Sequence, residues 1–158
     1  MSFAVESQGG KYRHWLEDGG ENRVGWCMLN PSLAGATVDD PTKNKIMEFS
    51  RRFMYDGAAI ANVYPYRTPY PKALWAARDA GEDIVGPMNA HYLEALASLP
   101  LVVVAWGTEA EPADVARTLE ILRRPGRPLW CLGTNKNGSP KHPLYLPFAT
   151  KLVEYLSS

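Results

Sequence analysis

The sequence predicts a three-layer α/β/α domain with a mostly parallel, four-stranded central sheet. Three observations carry that expectation. Apolar runs of strand length alternate with segments of helical periodicity, the pattern of successive strand and helix crossovers. The clearest run, LVVVAW at 101–106, is apolar throughout, as a strand buried between two helix layers must be. The runs also break off into polar or turn-forming residues, Asn30, Asn62 and Gly107 among them, as strands do where a sheet gives way to loops.

A chain of 158 residues is most simply one domain, long enough to bury roughly two-thirds of its unfolded surface without a metal or disulfide. Residues 11–158 are taken as that domain, behind a small, polar stretch, 1–10, expected to be loosely ordered. Seventeen basic residues balance seventeen acidic ones, so any nucleic-acid contact must be local and not a general attraction to polyanions. Cys27 and Cys131 lie inside apolar runs and read as reduced thiols of a cytoplasmic protein. No basic-then-apolar leader opens the sequence and no apolar run approaches bilayer length, so a soluble protein without a membrane partner is expected. Oligomeric state is not readable from these features.

In chain order, 12–16 reads as an edge strand forming a hairpin with 24–29 through Asp18-Gly19-Gly20. Asn30-Pro31-Ser32 ends the second of these strands. Asp39, Asp40 and Pro41 then open a helix, since carboxylates suit the positive end of the helix dipole and proline suits its first turn. Ile46, Phe49 and Phe53 give that helix one apolar face, leaving Lys43, Lys45, Arg51 and Arg52 to point outward, and Gly57 reads as its stop. AAIANVYPYR is a second buried strand ending in Asn62, with Tyr64, Tyr66 and Arg67 in the proline-punctuated loop beyond. Helices are expected over 71–78, 89–99 and about 112–124, with strands at 101–106 and 129–132. A polar loop, 133–141, leads to His142-Pro143 and a closing helix that reaches Tyr155.

In open α/β sheets, ligands bind outside the carboxyl ends of the strands. Asn30, Asn62, Gly107 and the 133–142 loop all follow such ends, so they should gather along one rim. The chain has no Walker loop, no dinucleotide fingerprint and no HExxH, and His14, His91 and His142 lack metal-ligand spacing; no metal and no cofactor are expected. Ser32 is in no nucleophile elbow, and neither cysteine has a histidine nearby in sequence.

The blocks MLNPSLAGATVDDPT, ANVYPYR, VVVAWG and LGTNKNGSPKHPLYLP, taken in order, resemble the hallmarks of domain-of-unknown-function family 1643 over nearly the whole chain. The departures are Leu33, where threonine is usual, and the Phe53-Met54-Tyr55 stretch, where a tryptophan is common; neither touches the polar rim. A more distant resemblance is to the uracil-DNA glycosylase superfamily. LNPS is similar to its GINPG-like loop, IAN to a strand ending in a base-reading asparagine, VVVAWG to a VVxLWG-like strand, and His142-Pro143 to its final His-Pro loop. That resemblance implies a uracil-DNA glycosylase-like fold, with Asn30 holding a water, Asn62 reading a base edge and His142 facing the departing base.

The chemistry of these residue types fits. Cleaving an N-glycosidic bond develops positive charge on the sugar and negative charge on the base, so a site needs donors at the base oxygens and a placed water. Asn62 offers a donor and an acceptor, His142 a donor, and Tyr64, Tyr66 or Trp106 a ring to stack on an extruded base. Pro31, Ser32, Gly107 and Lys141 complete the candidate binding set. Asparagine cannot serve as a general base. Either the water is only positioned, or Asp39 or Asp40 assists, or the site binds without cleaving. Each residue also has a plainer reading: Asn30 and Asn62 as turn residues, Asp39 and Asp40 as a helix start, and the tyrosines as cover for the sheet end. The expectation is a hydrolase or recognition site for a nucleobase, with DNA, another nucleic acid or a nucleotide as partner. The alternatives are a non-catalytic module that binds a base, a nucleotide or a protein, and an enzyme of free nucleosides or nucleotides.

Overall fold

A computed structural model describes residues 2–32 and 40–156, so Leu33 and Asp39 lie outside the described residues. The chain runs β1 (Phe3–Ser7), β2 (Tyr12–Gly19), β3 (Arg23–Met28), α1 (Pro41–Arg52), β4 (Gly57–Asn62), α2 (Pro71–Asp79), α3 (Asn89–Ala97), β5 (Val102–Val104), α4 (Pro112–Leu122), β6 (Trp130–Cys131) and β7 (Val153–Glu154). All seven strands join one mixed sheet in the order β1-β2-β4-β3-β5-β6-β7. The expected sheet of four strands is therefore too small. The four expected strands are its adjacent inner members, β4-β3-β5-β6, paired in parallel, and antiparallel strands extend both sides.

Alternation along the inner strands sorts the core onto two faces. Trp26, Met28, Ala58 and Val103 pack with Ile46 and Phe49 of α1. Cys27, Ala59, Ala61, Val102 and Val104 pack with Leu74, Leu93, Leu96, Leu119 and Leu122 of the other three helices. Burial on both faces explains why these strands read as continuous apolar runs. The helix start at Asp40 is local chemistry: one carboxylate oxygen accepts from the Thr42 amide at 2.8 Å and the Lys43 amide at 3.3 Å, and Pro41 occupies the first turn.

Residues 3–7, within the stretch expected to be loosely ordered, form a strand that pairs along the outer edge of β2. Three sequence expectations are corrected. The hairpin between 12–16 and 24–29 does not form, because β2 pairs with β4 and β3 lies between β4 and β5. A strand whose residues from Val24 to Met28 are all buried needs a neighbour on each side, and two parallel neighbours supply them. Gly57 does not stop α1. That helix ends earlier, where Met54 adopts φ +72° and the amides of Met54 and Tyr55 bond the carbonyls of Arg51 and Ser50 at 3.0 Å each. Gly57 instead opens β4, where a Cβ would lie 2.4 Å from the Gly20 carbonyl oxygen. Last, no closing helix forms: the chain after Pro147 returns as β7 beside β6, and the Tyr155 amide donates to the Leu129 carbonyl at 2.8 Å. Pairing there satisfies the backbone of an otherwise open edge.

Candidate functional site

Beyond the carboxyl ends of β3, β4 and β5, on the side covered by α1, lies a cavity of about 710 Å³. Its walls bring together Asn30, Pro31 and Ser32 after β3, Asn62 at the end of β4, Trp106 and Gly107 after β5, and Lys141 and His142 from the long loop. Asp40 joins them from the start of α1. Gly107, at φ +78°, turns the chain after β5 and donates its amide to the Pro140 carbonyl at 2.9 Å, which holds the His142 loop against the sheet.

Asn62 is the most informative of these residues. It pairs in register with Met28, on the face toward α1, and is only 4 % exposed. Its main-chain carbonyl accepts from Asn89 Nδ2 at 2.9 Å. Its side-chain amide has no hydrogen-bond partner among the described residues, although it lines the cavity. Buried amides are ordinarily paired, so a donor and an acceptor left open toward a cavity are suited to a ligand's polar edge.

Asn30 is oriented by its surroundings. Its Nδ2 donates to the Thr68 hydroxyl at 2.7 Å and to the carbonyls of Pro31 and Tyr66 at 3.3 Å each. The Thr68 hydroxyl donates to the Tyr70 carbonyl at 3.1 Å, so toward Asn30 it can only accept. This fixes which amide atom is which and leaves Oδ1 without a donor among the described residues, able to hold a water. His142 is fixed in the same way. Its Nδ1 accepts from the Leu144 amide at 3.1 Å, so the neutral ring carries its proton on Nε2. Burial pushes its pKa below the ordinary histidine value, with the charge of Asp40 opposing that shift. At neutral pH it is therefore an uncharged donor.

Asp40 is committed to structure. Besides capping α1, it accepts from the Ser32 hydroxyl at 3.1 Å. Both of its oxygens are thus engaged. Tyr64 and Tyr66 are not among the cavity's lining residues. Tyr64 is fully buried, with its hydroxyl donating to Asp114 at 2.7 Å and accepting from the Glu111 amide at 3.0 Å. The Tyr66 ring stands edge-on to Tyr12 at 5.8 Å. The aromatic residues that do line the cavity are Trp106, 2 % exposed, and Tyr70, 59 % exposed. Tyr70, which from sequence alone suits covering the sheet end as well as stacking on a base, joins Thr68 and Arg13 in the wall, two residues that no sequence signal singles out. Nothing in the sequence marks Thr68, because its partner Asn30 lies on a different strand's loop.

Arg13 is 6 % exposed and lines the cavity. Burial, then the nearby charge of Arg67, lowers its pKa, with Glu6 and Asp40 opposing. The thiol of Cys27 is raised to about 12 by burial, which leaves it no nucleophilic role at neutral pH. Among the described residues, no group of three or more His, Cys, Asp or Glu side chains could hold a metal ion, and no helix is long and apolar enough to cross a membrane.

The profile of the family described as "Protein of unknown function (DUF1643)" matches residues 12–144, and the chain belongs to that family. The match spans every cavity residue except Leu146. Comparison with curated proteins and with solved structures gave no match.

Proposed function

We propose that this DUF1643 protein recognises a nucleobase in its cavity and hydrolyses the bond joining that base to a sugar. The observation that carries the reading is the buried Asn62 amide, without a partner among the described residues, which lines the same cavity as a neutral histidine with Nε2–H facing no described acceptor. A base edge presents adjacent acceptors and donors, and an amide matches such a pair. In this reading Asn62 reads the base, and His142 Nε2 donates to the oxygen on which negative charge grows as the bond breaks. Asn30 Oδ1 accepts from the attacking water. The electrons of the glycosidic bond leave with the base, water supplies the hydroxyl that ends on the sugar, and the proton that water sheds ends on the released base. Trp106 or Tyr70 supplies the ring against which the base lies. The ordered blocks that resemble the uracil-DNA glycosylase superfamily support the same assignment, and with it a fold of that kind.

One observation favours a second reading, binding without cleavage. Asp40 is already engaged by the first turn of α1 and by Ser32, so using it as a base would disturb the helix start. Base release from single- and double-stranded DNA carrying uracil, hypoxanthine, thymine mismatches or hypermodified pyrimidines separates the two. Release abolished by both Asn30→Ala and His142→Ala establishes the hydrolase. Binding of a base or nucleoside without release leaves the recognition module, and neither release nor binding removes both.

A further inference from the structure

Thr68 joins two loops that lie far apart in the sequence. It stands between β4 and α2, is 4 % exposed and lines the cavity. Main-chain bonds to the start of β2 fix the loop that carries it: the Arg13 amide donates to the Pro65 carbonyl at 2.9 Å, and the Arg67 amide to the Lys11 carbonyl at 3.0 Å. The Thr68 amide donates to the Pro31 carbonyl at 3.2 Å, which ties this loop to the one after β3. Its hydroxyl is used in both directions, donating to the Tyr70 carbonyl at 3.1 Å and accepting from Asn30 Nδ2 at 2.7 Å. A β-branched side chain has few rotamers to exchange, so the hydroxyl is held where it stands.

That arrangement admits one orientation of the Asn30 amide. Nδ2 faces three oxygens, the Thr68 hydroxyl and the carbonyls of Pro31 and Tyr66, the last two at 3.3 Å each. Turned over, the amide would set Oδ1 against two carbonyl oxygens, and Thr68 could reach it only by giving up the Tyr70 carbonyl. The bond to Thr68 is the shortest of the three and therefore the strongest. With Nδ2 occupied, Asn30 offers the cavity an acceptor and no donor. That direction matters for a water held there. A water that donates to Oδ1 keeps a lone pair for an electrophile, whereas one that accepts from an N–H has that lone pair engaged.

We propose that Thr68 is a positioning residue: by holding Asn30 Nδ2, its hydroxyl keeps Oδ1 turned to the cavity as the acceptor that orients the attacking water. The catalytic part of this rests on the hydrolase reading of the cavity. Thr68 itself has no proton left to give a ligand, because its hydroxyl donates to Tyr70. Loss of that hydroxyl lowers turnover and leaves base binding, which Asn62 carries, unchanged.

The test compares Thr68→Val, which keeps the shape and removes the hydroxyl, with Thr68→Ser, which keeps the hydroxyl. Nitrogen–proton NMR follows the Asn30 carboxamide, identified by the signals lost in Asn30→Ala. In the wild type an Nδ2 proton should lie downfield of those of the exposed Asn44 and exchange about tenfold or more slowly. Thr68→Val should move it upfield and speed its exchange about threefold or more, and Thr68→Ser should hold the wild-type values. In base release from the DNA substrates named above, Thr68→Val should lower kcat about three- to tenfold, the worth of one hydrogen bond, with KM within about twofold. Thr68→Ser should restore kcat. Asn30 protons that exchange as fast as those of Asn44, or that Thr68→Val leaves unchanged, overturn the positioning role, as does a kcat that Thr68→Val leaves intact. A signal that shifts in Thr68→Val, with no base released by the wild type from any substrate, keeps the hold on Asn30 and overturns the catalytic part together with the hydrolase reading. Should Thr68→Val not fold, the wild-type exchange measured against Asn44 decides alone.

Discussion

Two buried asparagines that touch through one hydrogen bond should respond oppositely to the same substitution. Asn62 is 4 % exposed and Asn89 is 3 % exposed. The Asn89 side chain is satisfied at both ends, donating to the Asn62 carbonyl at 2.9 Å and accepting from Arg117 Nη1 at 2.7 Å. The Asn62 amide lacks a partner among the described residues, and it faces a cavity whose wall includes the apolar side chains of Leu16, Met28, Ile46 and Ile60. Holding an amide there costs the folded state about 1–3 kcal/mol, toward the lower end where water enters. Asn62→Leu removes that cost, has free volume to occupy, and leaves the Asn62 main-chain carbonyl to Asn89. Stabilisation by about 1–2 kcal/mol is expected, or roughly 2–8 °C in melting temperature for a domain of this size. Asn89→Leu removes the side-chain donor to the Asn62 carbonyl and one acceptor of the Arg117 guanidinium, which keeps the Val63 carbonyl and Asp114, and should destabilise by about 1–3 kcal/mol. Thermal and urea unfolding measure both. Asn62→Leu should also weaken base binding by roughly 5–150-fold, the worth of two hydrogen bonds. If Asn62→Leu destabilises the protein as Asn89→Leu does, the amide is a structural element and the argument for a ligand at Asn62 fails.

Three further outcomes follow from the same physical reasoning. His14 and His142 both have pKa values lowered by burial, so below about pH 6.5 the unfolded chain takes up protons that the folded one refuses. Stability should be at its full value above that pH and decline as pH falls toward 5. His14→Phe, which keeps the stack with Tyr92 at 5.2 Å, should flatten part of the decline in urea melts followed against pH. Met54→Gly should raise stability by about 0.5–1 kcal/mol in urea unfolding, because Met54 is exposed and holds φ +72° at the end of α1. Gly57→Ala should cost about 3 kcal/mol or more and lower soluble yield, since the added methyl meets the Gly20 carbonyl backbone at 2.4 Å and no side-chain rotation relieves it.

Features decided within a few residues were legible in the sequence. The start of α1 at Asp40-Pro41, the apolar stripe of Ile46 and Phe49, and the buried inner strands 24–29, 58–62 and 101–106 all follow from capping, periodicity and burial along a short segment. The polar ends of those strands sufficed to place Asn30, Asn62, Trp106, Gly107 and His142 around one cavity, because parallel strands deliver their carboxyl ends to the same rim. Tertiary structure decided what depends on partners far away in the chain. Strand order set β2 against β4 instead of β3, and the open edges drew in 3–7 and 153–154, which carry too little apolar pattern to read as strands. Packing drew Tyr64 away from the cavity to Asp114, fifty residues on. The side on which Arg13 stands was settled by one extra residue in β2: Val5 pairs with Trp15 and Glu6 with Arg13, which leaves His14 as a bulge. Periodicity assigns sides by counting along a strand, and a bulge changes the count without changing the pattern.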